Sequence, residues 1–194
     1  MAENYILLSE RQMEWIQRAV RQMMELTVYY GNLKQPLQDA DYERIADMFS
    51  NQVRKSRENG IVIRCAGVLS EYFDEIGSTP PKQPQLKKEE LISVSRCVEE
   101  QFTLIQKWQG QLNSSEQLED AARGLEELCK NSPDCKLTCE FTKVFQNYLS
   151  FCMEEKQRGY AAGRMPPEER ETPGLAAEKE ENREPMRVRQ RHSR

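Results

Sequence analysis

Residues 137–153, LTCEFTKVFQNYLSFCM, constrain the fold more than any other stretch of this chain. Leu137, Phe141, Val144, Phe145, Tyr148, Leu149 and Cys152 recur at steps of three and four, which puts them on one face of an α-helix. Lys143, Gln146 and Asn147 fall on the opposite side. Burying the apolar face contributes on the order of 10 kcal/mol before conformational entropy opposes it, at roughly 1.5–3 kcal/mol per large side chain. A helix this one-sided needs other helices to lie against.

The rest of the chain supplies them. Ser9 with Gln12 is a capping box, and Leu8 and Met13 stand where a hydrophobic staple falls. Behind them Met13, Ile16, Val20, Met23, Thr27 and Tyr30 form a heptad-like seam that ends at Gly31, under three heptads and so too short for a coiled coil. Trp15, Leu26, Val28 and Tyr29 lie off that seam, so the first helix is expected to be contacted on two sides. A loop around Pro36 leads to a second helix, capped by Asp39 or Asp41 and running to about Asn59, with Tyr42, Ile45, Phe49 and Val53 inward and Gly60 as its stop.

Residues 61–76 are the most ambiguous. The local run IVIR favours a strand, but Val62, Cys65, Ala66, Leu69, Tyr72, Phe73 and Ile76 make a long helical stripe, and the stripe decides for helix. Pro80, Pro81 and Pro84 cannot continue it, so residues 78–86 are read as a linker between halves 5–77 and 87–158. A fourth helix over about 87–112 turns Leu91, Val94, Val98, Phe102, Ile105 and Trp108 inward. Ser114 with Gln117 caps a fifth, with inner face Leu118, Ala121, Ala122, Leu125, Leu128 and Cys129. The turn NSPD at 131–134 precedes the sixth. The expected fold is all-α: a six-helix bundle of two three-helix layers over residues 5–158, followed by a disordered C-terminal tail at 159–194, rich in Pro, Gly, Glu and Arg and too poor in large apolar residues to offset the entropy of folding.

The chain of 194 residues has a net charge of −4, too small to argue for an acidic or basic partner from the total. No run reaches the roughly 18 apolar residues of a membrane span, and the amino-terminal segment lacks a signal peptide's basic region, so an intracellular protein, nuclear or cytoplasmic and not secreted, is the expectation. Reduced core thiols then explain the cysteines better than a disulfide framework. Cys129, Cys135 and Cys139 are the one metal-like constellation, but their spacing lacks a CxxC knuckle; a zinc site and a Cys129–Cys135 or Cys135–Cys139 bridge are the alternatives to free thiols.

No motif specifies a reaction, a metal or a cofactor. The single histidine, His192, sits in the tail, away from any nucleophile, and phosphate-binding glycine loops are absent from the sequence. Adjacent carboxylates such as Glu99 and Glu100 point about 100° apart on a helix. The function expected is a non-enzymatic protein–protein interaction module, an adaptor or complex subunit, that docks another protein through an exposed apolar and aromatic surface. Trp15, Tyr29, Tyr30 and Trp108 are its candidate anchors, as large aromatics off or at the edge of a stripe. The alternative is a nucleic-acid-associated regulatory protein, using a basic patch of Arg11, Arg18, Arg21, Arg54, Lys55 and Arg57 with the tail arginines Arg187, Arg189, Arg191 and Arg194. That tail also reads as a nuclear-targeting segment, and self-association stays open as a further mode of partnering.

Overall fold

A computed structural model describes residues 5–132 and 135–161, with side chains over 5–132 and 136–159. The described residues form six helices and no strand: α1 (Glu10–Tyr30), α2 (Asp39–Lys55), α3 (Gly60–Gly77), α4 (Lys88–Gln109), α5 (Ser115–Lys130) and α6 (Cys135–Ala161). α1, α2 and α3 pack on one another, as do α4, α5 and α6. The two triplets then meet through α1 against α4 and α3 against α6, which leaves α2 and α5 outside that interface. This is the two-layer arrangement expected from the stripes.

The α6 stripe holds the centre. Leu137, Phe141, Val144, Phe145, Tyr148, Leu149 and Cys152 are all buried, in one cluster with Met13, Val20 and Met23 of α1, Val62 and Leu69 of α3, and Leu91 and Phe102 of α4. Phe102 and Phe145 meet edge to face at 4.9 Å, a favoured geometry for aromatic rings. The seam of α1 faces inward throughout, and Met13, Met23 and Met24 serve as core packing rather than as a docking surface.

Residues before α1 are part of this core. Tyr5 is buried against Tyr148 and Phe151, its ring covered by the Arg64 guanidinium at 5.7 Å, and its hydroxyl donates to the Val144 carbonyl at 3.5 Å. Gln109 Nε2 donates to the Leu8 carbonyl at 3.2 Å. The strap thus ties α1 to α4 and α6.

Four boundaries differ from the sequence expectation. α2 stops at Lys55 rather than near Asn59, because Arg57 and Glu58 turn left-handed (φ 56° at both) and the Glu58 N–H donates to the Val53 carbonyl at 2.9 Å. Gly60 is therefore the first residue of α3 rather than a stop, and the Asn59 side chain caps it by accepting from the Ile61 N–H at 2.9 Å. α2 itself begins after Gln38, whose N–H donates to the Asp41 carboxylate at 3.0 Å. α6 continues to Ala161, past the expected end at 158. Residues 159–161 of the expected tail at 159–194 are thus helical, while 162–194 and residues 133–134 of the expected turn at 131–134 lie outside the described residues.

The segment 78–86 is fastened along its length. Ser78 Oγ donates to the Glu75 carbonyl at 2.8 Å and accepts from the Lys82 N–H at 3.0 Å. The Leu86 N–H donates to the Tyr72 hydroxyl at 3.2 Å, and Gln85 Nε2 donates to the Gly31 carbonyl. Gly31 is required where it stands: a Cβ there would come within 2.7 Å of the Thr27 carbonyl oxygen and 3.0 Å of Leu91 Cδ1, where α1 ends against α4.

Candidate partner-binding face

Once the seam of α1 is buried, its opposite face is fixed by helical pitch. Arg11, Trp15, Arg18, Gln22 and Tyr29 fall within about 60° of one line along the helix at 100° per residue, and all five side chains are exposed. Trp15 is 45% exposed and Tyr29 63%. The fourteen-residue step from Trp15 to Tyr29 spans roughly 21 Å at 1.5 Å per residue. Leu26 lies on the same line but leans onto the core.

Two contacts hold the aromatic rings in defined settings. The Arg11 guanidinium stacks 5.1 Å from the Trp15 ring centroid, one helical turn away, a cation–π pair worth about 0.5–1 kcal/mol at an exposed site. Tyr29 meets Tyr30 edge to face at 5.0 Å. At the start of α1, Ile6 is 51% and Leu7 42% exposed while their neighbours Tyr5 and Leu8 anchor the strap. These two apolar side chains were not singled out from the sequence, because the YILL run offers no helical period to sort inside from outside.

The four candidate anchors separate. Tyr30 closes the inward seam and is buried, so its ring cannot serve as a surface anchor. Its spacing from Thr27 and Met23 already assigned it inward. Trp108 is half-buried against the core at the last turn of α4, with the Lys107 ammonium 6.0 Å from its ring. Trp15 and Tyr29 remain.

The arginines are divided among several settings. Arg11 and Arg18 belong to the outward face of α1, but Arg21 points toward α4, where Nε donates to Glu99 at 2.7 Å. Arg54 lines an open depression of about 1010 Å³ between α2 and α3, beside Met48, Phe49, Ala66 and Gly67. Lys55 closes α2 and Arg57 occupies the left-handed turn after it. Arg187, Arg189, Arg191 and Arg194 lie outside the described residues.

The cysteines gather in a way their spacing did not indicate. Cys129, in the last turn of α5, lies with its sulfur 2.8 Å from that of Cys139 in α6. Cys97 of α4 shares this corner, donating to the Leu128 carbonyl at 3.4 Å. Cys65 and Cys152 are buried thiols elsewhere, and burial pushes Cys152 up to about 11 from the ordinary 9.0. The Cys135 side chain, and with it both bridges drawn through that residue, lies outside the description. Among the described residues no group of three or more His, Cys, Asp or Glu is arranged to hold a metal ion, and no helix is long and apolar enough to cross a membrane.

Comparison of this chain with protein-family models, with curated proteins and with solved structures finds no match. The functional reading therefore rests on the chain's own side chains.

Proposed function

We propose that this chain is a non-enzymatic interaction module that docks another protein along the outward face of α1. The observation that carries the reading is the pairing of Trp15 and Tyr29 on one exposed line with Arg11 and Arg18, while the methionines and aliphatics of the same helix are packed inside. Tryptophan, tyrosine and arginine are the side chains most enriched where binding energy concentrates. The complementary surface is apolar opposite the two rings and acidic opposite Arg11 and Arg18. An intracellular site of action, nuclear or cytoplasmic, belongs to the same proposal.

The test is an affinity capture with the full chain, read by mass spectrometry. It is repeated with Trp15→Ala/Tyr29→Ala and with Arg123→Ala on exposed α5 as a surface control. Losing one large aromatic anchor weakens binding by about 2 kcal/mol, roughly thirtyfold. The expected outcome is a partner retained by the wild type and the Arg123 variant and lost from the double variant, which must keep its helical circular dichroism. A partner set unchanged by Trp15→Ala/Tyr29→Ala would sink the assignment. A chain ending at Ala161 separates capture by the helical body from capture by the residues beyond it.

A further inference from the structure

The corner where α5 turns into α6 holds chemistry that docking does not use. Cys129 and Cys139 are ten residues apart in sequence, yet their sulfurs stand 2.8 Å from each other, inside the sum of two sulfur van der Waals radii. A disulfide has a sulfur–sulfur bond of about 2.05 Å, so closing the gap takes a movement of about 0.8 Å. Cys129 is buried while Cys139 is half-exposed, so one sulfur is sheltered and the other reachable from solvent. We propose that Cys129 and Cys139 form an oxidisable dithiol whose disulfide fastens the end of α5 to the start of α6.

The oxidant is a peroxide, and the reaction balances without any other reagent. The Cys139 sulfur attacks one peroxide oxygen, the O–O bond breaks, and the departing hydroxide leaves as water with the thiol proton. The resulting sulfenic acid is attacked by the Cys129 sulfur. The S–S bond forms, the S–O bond breaks, and hydroxide leaves as a second water with the Cys129 proton. Two thiols and one hydrogen peroxide thus become one disulfide and two waters.

Among the described residues, Cys97 is the competing sulfur in this corner. It is engaged with the Leu128 carbonyl, and burial, aided by Glu100 and then Cys139, pushes it up to about 11, which keeps it protonated at neutral pH and poor as a nucleophile. Geometry selects Cys129, whose sulfur stands 2.8 Å from that of Cys139 while the Cys97 thiol is turned to the Leu128 carbonyl.

The experiment uses the full reduced chain treated with hydrogen peroxide at neutral pH. The intact mass is expected to fall by two hydrogens, and a non-reducing digest to yield a single peptide pair joined through Cys129 and Cys139. The bridge closes a short loop, so the oxidised chain is expected to melt about 5–10 °C higher than the reduced one, a gain that reducing agent reverses. Cys139→Ser abolishes both the link and the gain, whereas Cys65→Ser and Cys97→Ser keep them. In Cys129→Ser the sulfenic acid has lost its resolving partner, so dimedone is expected to label Cys139. Absence of any intramolecular link, or a link through Cys135 or Cys97 instead, overturns the proposal, as does dimedone labelling that avoids Cys139.

Discussion

Arg57 carries the clearest local conflict between residue type and backbone. It is the first residue past the cap of α2, where the Arg57 N–H donates to Arg54 and the Glu58 N–H to Val53 in the double hydrogen bond that ends many helices. That position wants a left-handed residue, normally glycine, and here an exposed arginine adopts φ 56°. An L-residue in that region costs roughly 1 kcal/mol. Arg57→Gly is accordingly expected to raise the unfolding free energy by about 0.5–1 kcal/mol in urea titration, against the usual loss on introducing glycine. Residue types carry no warning of this turn, since neither Arg57 nor Glu58 advertises a left-handed backbone and Gly60 offers itself as the stop. Buried thiols make a second prediction at this scale. Cys97 and Cys152 sit at about 11 in the fold, chiefly through burial, against an ordinary 9.0. A pKa raised by folding means stability fully present below pH 9 and lost as pH climbs through 11. The expected loss is about 1.4 kcal/mol per thiol per pH unit in that window, and Cys152→Ala should flatten the slope of the urea midpoint against pH.

The helices face as their apolar stripes dictate, and α1 and α5 begin at the serine caps their residues announce, which is why the elements were largely legible. The Ser9 hydroxyl accepts from the Gln12 N–H at 3.4 Å while the Gln12 side chain accepts from the Ser9 N–H at 2.9 Å, the reciprocal box expected from Ser–x–x–Gln. Removing it in Ser9→Ala leaves helix N–H groups without their partner, and the expected cost is about 1 kcal/mol by denaturant titration. Ser9→Asp, which restores an acceptor beside the positive end of the helix, should recover most of it. What periodicity did not disclose was polar chemistry inside a stripe. Gln101 of α4 falls among Val98, Phe102 and Ile105 and is fully buried, donating to Thr142 at 2.6 Å and to the Leu125 carbonyl at 3.3 Å. It bridges three helices, yet its sequence neighbours offer no hint of partners 24 and 41 residues away. The Cys129–Cys139 contact escaped for the same reason: one-turn spacing within a helix points to Cys135 and Cys139, whereas Cys129 reaches the Cys139 sulfur from another helix.

Stripes say that a face is covered, not by what, so the mating of the layers had to come from the structure. α1 on α4 and α3 on α6 merge the inner faces of both halves into one apolar cluster, and the segment 78–86 is pinned at both ends rather than free between two bodies. Neither triplet can leave the other without exposing Met23, Leu69, Leu91, Phe141 and Tyr148, all at or near zero exposure. At roughly 1.5–3 kcal/mol for each large side chain uncovered, that penalty rivals the whole stability of an ordinary domain of about 5–15 kcal/mol. The halves should therefore unfold together. The two tryptophans make this measurable, because Trp15 lies on α1 in one layer and Trp108 on α4 in the other. Trp15→Phe leaves a reporter on the second layer only, and Trp108→Phe leaves one on the first. In each variant, urea unfolding followed by tryptophan fluorescence is expected to coincide with helix loss by circular dichroism, with midpoints agreeing within error. A fluorescence transition that precedes helix loss in one variant and follows it in the other would mean that the layers are separate cooperative units, and that the shared core does not couple them.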